Sequence, residues 1–135
     1  MIYFDTNIYI YAFLSNVDDD NQQNISINLL EDSLEKNILI SSDINLYEYA
    51  FVTKKHNETQ EDIKKYLDFI SKFIKPSDNI YIRALEIMNK KDFYRHSFDV
   101  FHLAFSEYYN CSKLITFDKG FKKLQDITDV EIVIL

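Results

Sequence analysis

Residues 97–120, SFDVFHLAFSEYYNCSKLITFDKG, contain the pattern that decides the fold class. Residues 98–109 are apolar around most of a helical surface, which predicts a buried helix. The short apolar run 114–117 follows and predicts a strand that ends at the acidic residue Asp118. A buried helix leading into a short strand is typical of an α/β domain with a parallel sheet.

The same alternation extends in both directions along the chain. Short apolar runs at 1–4, 38–40 and 132–135 predict further strands, and a very short one is expected near 73–75. Apolar residues at helical spacing predict helices at 8–14, 25–34, 44–54, 63–74 and 80–88. The polar segment 17–24 contains three consecutive aspartates and is expected to be a solvated loop. The whole pattern predicts one parallel α/β domain with helices on both faces.

Composition excludes several classes of protein. The chain has one glycine and one proline, which excludes the glycine-rich loops that bind nucleotide phosphates. Cys111 is the single cysteine, which excludes an internal disulfide and a cysteine-based zinc site. No apolar run is long enough to cross a bilayer, and residues 1–7 lack the features of a signal peptide. We therefore expect a cytoplasmic protein.

Acidic residues follow or flank the predicted strand ends at four positions. They are Asp5, Glu48, Asp99 and Asp118. Because ligands bind at the carboxyl edge of a parallel sheet, Asp5 and Asp118 meet there if their strands are neighbours. Asp99 lies in the first turn of the buried helix, and Glu48 lies early in the helix after the second strand. Close carboxylates repel unless a cation neutralises them, so the pattern predicts an Mg²⁺ or Mn²⁺ site for phosphodiester cleavage.

Each of these acids also has a purely structural interpretation. Asp5 could cap the first helix, Asp99 could interact with the helix dipole, and Asp118 could be a turn residue. Glu48 is harder to explain in this way, because its neighbours are apolar and an unpaired buried acid is costly. The coincidence of all four favours a site.

Basic residues lie next to two of the acids. They are Lys91, Arg95 and His96 before Asp99, and Lys119 and Lys122 after Asp118. They are expected to form a rim that attracts phosphates, and the alternative is ordinary solvated surface. The net charge of −7 argues against a protein that holds nucleic acid by bulk charge alone.

Four motifs, in this order, resemble those of the PIN-domain ribonucleases, most closely the small single-domain toxins of the VapC type. The motifs are FDTN at 4–7, LYEYA at 46–50, SFDVFHLA at 97–104 and LITFDKGF at 114–121. One departure lies after Asp99, where Val100, Phe101 and His102 replace the small residues usual in the family.

The resemblance implies a single PIN-like α/β domain over residues 1–135, with a parallel five-stranded sheet of order 3-2-1-4-5. It implies Mg²⁺- or Mn²⁺-dependent cleavage of single-stranded or structured RNA, for which we expect in-line attack by a water that the metal activates. It assigns metal binding and catalysis to Asp5, Glu48, Asp99 and Asp118, and supporting hydrogen bonds to Asn7 and Thr116.

The resemblance also implies a homodimer and a small antitoxin protein as partners. The early helices carry many aromatic residues, and while most are expected in the core, some are expected to form an exposed apolar face. An antitoxin arm that brings Arg or Lys into the acidic cleft would inhibit the enzyme.

Other interpretations remain open. His102 is expected to pack within its helix with a satisfied ring nitrogen, and a catalytic histidine is the less favoured alternative. A receiver-type signalling domain is disfavoured, because the strand at 38–40 ends in Ser41 and Ser42 and not in an acid. A catalytically silent PIN-like binding module and a housekeeping RNA-processing nuclease would carry the same four acids.

Overall fold

The structure is a computed structural model that describes residues 1–90 and 97–135. The elements in chain order are β1 Ile2–Phe4, α1 Thr6–Phe13, α2 Asp20–Glu35, β2 Leu39–Ile40, α3 Asp43–Lys55, α4 Gln60–Ser71, α5 Tyr81–Lys90, α6 Ser97–Tyr108, β3 Lys113–Thr116, a 3-10 segment Lys119–Ile127, and β4 Glu131–Ile134. Within the described residues no helix is both long enough and apolar enough to span a membrane.

The strands form one parallel sheet of order β2-β1-β3-β4. This confirms the predicted α/β class, although the sheet of the described residues has four strands and not five. The strand expected at 73–75 is reduced to a single parallel bridge between Ser41 and Ile74, at the position outside β2. The segment available for pairing is short, because α4 extends to Ser71 and Pro76 has no backbone N–H to donate. A ladder of several residue pairs therefore does not form beside β2.

Helices cover both faces of the sheet, as predicted, because consecutive strand residues point to opposite sides. Tyr3 and Leu114 face one core, which is filled from α5 and α6 by residues such as Phe105. Phe4 and Ile115 face the other core, which α1, α2, α3 and α4 complete. The ends of β1, β2 and β3 therefore reach the same edge of the sheet between two packed helical layers.

The loop expected at 17–24 is wrong in its second half, because α2 already begins at Asp20. Asp19 caps the helix, and its Oδ1 accepts a hydrogen bond from the backbone N–H of Gln22 at 3.1 Å. The neighbouring charge of Asp20 is favourable at a helix N-terminus. Part of the acidic run therefore starts a helix.

Candidate functional site

Asp5 is the first residue after β1 and the N-cap of α1, and it is buried. Its Oδ1 accepts from the N–H of Thr6 at 2.7 Å, and its Oδ2 accepts from Thr116 Oγ1 at 2.6 Å and Asn7 Nδ2 at 2.9 Å. Burial raises the pKa of Asp5, although His102 and the hydrogen bond from Thr116 work to lower it. Asp5 therefore caps α1, as its place in the sequence suggested, and its second carboxylate oxygen is held by Asn7 and Thr116.

Thr116 and Asn7 connect Asp5 to the end of β3. Asn7 Nδ2 donates to Thr116 Oγ1 at 3.2 Å, and Asn7 Oδ1 accepts from the N–H of Phe117 at 3.3 Å. The same threonine oxygen accepts from the N–H of Asp118 at 2.9 Å. The two residues assigned to support the acids thus contact Asp5 and the backbone of Asp118.

Glu48 lies in the second turn of α3 and points to the same edge. Its Oε1 accepts from Thr6 Oγ1 at 2.8 Å and contacts His102 Nε2 at 2.5 Å. Burial works to raise the pKa of Glu48, but the hydrogen bond and the charge of His102 outweigh it and the pKa is lowered. Glu48, whose neighbours in the sequence are apolar, is therefore paired with His102.

His102 lies inside the cluster, and the sequence did not predict this. The residue is 1% exposed, its Nδ1 is 2.5 Å from the hydroxyl of Tyr3, and its Nε2 is 3.4 Å from Asp5 Oδ1. Although burial lowers the pKa of His102, Glu48 and Asp5 raise it overall. Potential ligand atoms of Asp5, Glu48 and His102 lie within 4.8 Å of one another. The available signal was its position three residues after Asp99, on the same face of α6.

Asp99 is half-buried in the first turn of α6. Its pKa is raised to about 6, first by burial and then by the negative charges of Asp5 and Asp118. Glu48 adds to this repulsion and His102 opposes it. Asp99 therefore lies within electrostatic reach of the other three acids.

Asp118 is the exposed member of the group. It caps the 3-10 segment, and its Oδ1 accepts from the N–H of Gly120 at 2.7 Å. A Cβ at position 120 would lie 3.0 Å from the same oxygen, so a larger residue there would press on this carboxylate. The turn interpretation of Asp118 is confirmed, and its role in the site stays a prediction.

The predicted basic rim is described only in part. Lys119 and Lys122 are exposed on the 3-10 segment that Asp118 caps. Lys91, Arg95 and His96 lie outside the described residues.

Comparisons with known proteins give a consistent picture. The family model of the PIN domain matches residues 2–127. The VapBC2 complex of Rickettsia felis, solved with a DNA fragment from its promoter, has a chain of 21% identity and TM-score 0.71, covering 100% of this chain and 99% of that one. FitAcB of Neisseria gonorrhoeae gives 17% identity and TM-score 0.65 over 98% of this chain and 96% of that chain. No curated protein matches.

Proposed function

The chain belongs to the PIN domain family, and from this premise we propose that it is a metal-dependent endoribonuclease and the toxin of a toxin–antitoxin pair. The observation that carries the proposal is the approach of Asp5 and Glu48 to the same nitrogen of His102 at one edge of the sheet. Asp99 lies within electrostatic reach, and its pKa is raised to about 6 by burial and by the charges of Asp5 and Asp118. Such a concentration of carboxylates supports a cation site.

The donor atoms of the cleft suit a divalent cation. Carboxylate oxygens are the ligands that Mg²⁺ and Mn²⁺ prefer, and positive charge would relieve the repulsion on Asp99. We assign Asp5, Asp99 and Asp118 to one cation and Glu48 to a second that accompanies the substrate. Bound there, such cations supply an activated water and neutralise charge at the scissile phosphate.

The residues of the chain orient the reaction. Asp5 has hydrogen bonds on both carboxylate oxygens, so its direction is fixed before a substrate arrives. Glu48 is fixed through one oxygen by Thr6 and His102. In-line attack on phosphorus from this cleft would leave 5′-phosphate and 3′-hydroxyl ends on the RNA.

The RNA backbone is the substrate feature for which the rim is suited. Lys119 and Lys122 are exposed next to Asp118 and offer positive charge to phosphates at the edge of an acidic site. The net charge of −7 limits affinity away from this rim.

An antitoxin protein is the proposed partner, supported by the VapC resemblance and by the fold shared with VapBC2 and FitAcB. A groove of about 680 Å³ between α3 and α4 is lined by Leu46, Ala50 and Leu67. Tyr47 and Phe51 at its rim are 79% and 70% exposed. The groove is also lined by two lysines, which favour an apolar antitoxin segment that carries acidic residues; they are Lys54 and Lys55.

We also propose that the protein forms a homodimer. A monomer by light scattering at micromolar concentration would contradict that part of the proposal.

The deciding experiment is cleavage of single-stranded RNA by the purified chain with Mg²⁺, Mn²⁺ or excess EDTA. We expect cleavage with either metal, none with EDTA, and a loss of at least about 100-fold in Asp5→Asn and Asp99→Asn. Asp68→Asn, an exposed acid of α4, is the matched control and should cleave normally.

The possible outcomes separate the competing interpretations. EDTA-resistant cleavage, or full activity in Asp5→Asn, would contradict the proposed mechanism. Metal binding without cleavage of any RNA would favour the catalytically silent binding module.

A further inference from the structure

Side chains from three helices and one strand form a closed ring of hydrogen bonds that includes Glu48. The members are Glu48, His102, Tyr3, Ser42, Asn45 and Thr6. Residues 3, 42, 45 and 102 are buried, so their hydrogen bonds are not exchanged with water.

The first branch of the ring runs from Glu48 through His102 to Tyr3. His102 Nε2 is 2.5 Å from Glu48 Oε1, and His102 Nδ1 is 2.5 Å from the Tyr3 hydroxyl. The Tyr3 hydroxyl in turn lies 2.7 Å from Ser42 Oγ. Because an ionised carboxylate only accepts, the imidazole donates to Glu48 through Nε2, and its orientation depends on what holds Nδ1.

The second branch reaches the same oxygen of Glu48 from the other side. Thr6 Oγ1 donates to Glu48 Oε1 at 2.8 Å and accepts from Asn45 Nδ2 at 3.0 Å. Asn45 Oδ1 accepts from the N–H of Ser42 at 3.0 Å within the capping box of α3. Both branches therefore begin at the N-terminus of α3 and end on Oε1.

We propose that Tyr3 is a positioning residue that acts through His102 to hold Oε1 of Glu48, so that Oε2 is the oxygen available to a divalent cation. This inference rests on the proposed function. Tyr3 is fully buried, and a phenylalanine would fill the same space but could neither accept from nor donate to the imidazole.

The chain contains a matched control for this idea. Tyr9 is also fully buried, and its hydroxyl lies 2.5 Å from Ser41 Oγ, the residue next to Ser42. Tyr3→Phe and Tyr9→Phe thus remove the same kind of tyrosine–serine hydrogen bond, and only the first is connected to His102.

The test is calorimetric titration of the metal-free protein with Mn²⁺ in the presence of a saturating, non-cleavable single-stranded RNA analogue, so that the second cation assigned to Glu48 is included, together with thermal unfolding. We expect Tyr3→Phe to weaken Mn²⁺ binding by roughly 3- to 10-fold, the equivalent of one hydrogen bond. Tyr9→Phe should bind Mn²⁺ like the wild type. Both variants should lose stability, Tyr3→Phe more because its hydroxyl also contacts His102, and a loss of Mn²⁺ affinity confined to Tyr3→Phe separates positioning from a general effect on the fold.

A double-mutant cycle asks whether Tyr3 acts through His102. His102→Gln should weaken Mn²⁺ binding by about 10- to 100-fold. Adding Tyr3→Phe to that variant should change nothing further, whereas independent residues would combine their effects. If His102→Gln fails to fold, the comparison of Tyr3→Phe with Tyr9→Phe decides alone.

Two kinds of failure are distinguishable. Wild-type protein that binds Mn²⁺ while Tyr3→Phe is unchanged, or is weakened only as much as Tyr9→Phe, overturns this inference and leaves the proposed function standing. Wild-type protein that neither binds Mn²⁺ nor cleaves RNA contradicts the proposed function and this inference with it.

Discussion

Thr116 Oγ1 donates a hydrogen bond of 2.6 Å to Oδ2 of Asp5 and thereby joins the ends of two neighbouring strands. The threonine is buried, and its oxygen also accepts from the backbone N–H of Asp118 at 2.9 Å. One hydroxyl therefore orients the carboxylate of Asp5 and the chain that carries Asp118.

Replacing this hydroxyl by a methyl group should damage both stability and metal binding. Thr116→Val leaves Asp5 with one donor fewer and the Asp118 N–H without its partner, which should lower the free energy of unfolding by about 1–3 kcal/mol. Mn²⁺ affinity should fall by about 10-fold or more. Urea unfolding and calorimetry measure the two effects. Thr116→Ser is the control and should stay close to wild type; a Thr116→Val protein that binds Mn²⁺ normally would refute the role of the hydroxyl.

Asp99→Asn should stabilise the metal-free protein at pH 8. The pKa of Asp99 is about 6 in the folded protein, against an ordinary 3.8, because burial and the neighbouring acids oppose its ionisation. Its contribution to stability is therefore complete below about pH 3.8 and is lost as the pH rises through about 6. The thermal midpoint of Asp99→Asn minus that of wild type should grow from pH 4 to pH 7 and then level off.

The metal supplies the control for Asp99. Mn²⁺ should raise the thermal midpoint of wild type much more than that of Asp99→Asn, because only a ligand that binds the folded state stabilises it. In the metal-free proteins, a difference in thermal midpoint between wild type and Asp99→Asn that does not change with pH would show that ionisation of Asp99 carries no cost.

Lys119→Ala and Lys122→Ala should weaken the capture of RNA without impairing the chemical step. Phosphate contacts add to affinity through charge, so each variant should raise KM and leave kcat nearly unchanged. The slope of log affinity against log salt concentration should become shallower by about one unit. Steady-state kinetics at several salt concentrations measure this. Lys64→Ala on α4 is the control; an equal effect of that variant would mean that only the net charge matters.

Much of the fold was predictable because it rests on local patterns. Residues 2–4 and 114–115 are short apolar runs, and their alternating faces match the two cores that the structure contains. The strand at 73–75 was overpredicted, since Phe73 and Ile74 carry the residue types of a strand. The length of a ladder depends on where the flanking helix and Pro76 lie, and residue type does not encode that.

The start of α2 shows a second limit. Aspartates are favourable in a solvated loop and also at a helix N-terminus, so a run of them does not distinguish the two. The hydrogen bond from the backbone N–H of Gln22 to Asp19 shows that the helix begins here, and residue types alone do not reveal it.

The placement of Asp5 and Glu48 at one edge of the sheet was predictable, and that of the histidine between them was not. The carboxyl ends of parallel strands share an edge, so acids that follow such strands converge whatever the details of packing. A histidine in an apolar helix more often packs than reacts. His102 is held by Tyr3, which is 99 positions away, and by Glu48, which is 54 away, and no local pattern reports such pairs.

Glu48→Gln should destabilise the metal-free protein at pH 7, opposite in sign to Asp99→Asn. The pKa of Glu48 is lowered from its ordinary 4.5, so its ionised form adds stability above that pH and the contribution is lost as the pH falls. Its Oε1 faces Thr6 and His102, and a neutral amide would weaken both bonds at a cost of about 1–3 kcal/mol. Urea unfolding in EDTA measures this, with the exposed Glu31→Gln in α2 as a control that should change little. If Glu48→Gln were instead stabilised as Asp99→Asn is, Glu48 would be a repelled acid like Asp99, and the hydrogen-bonded ring around it would contribute nothing.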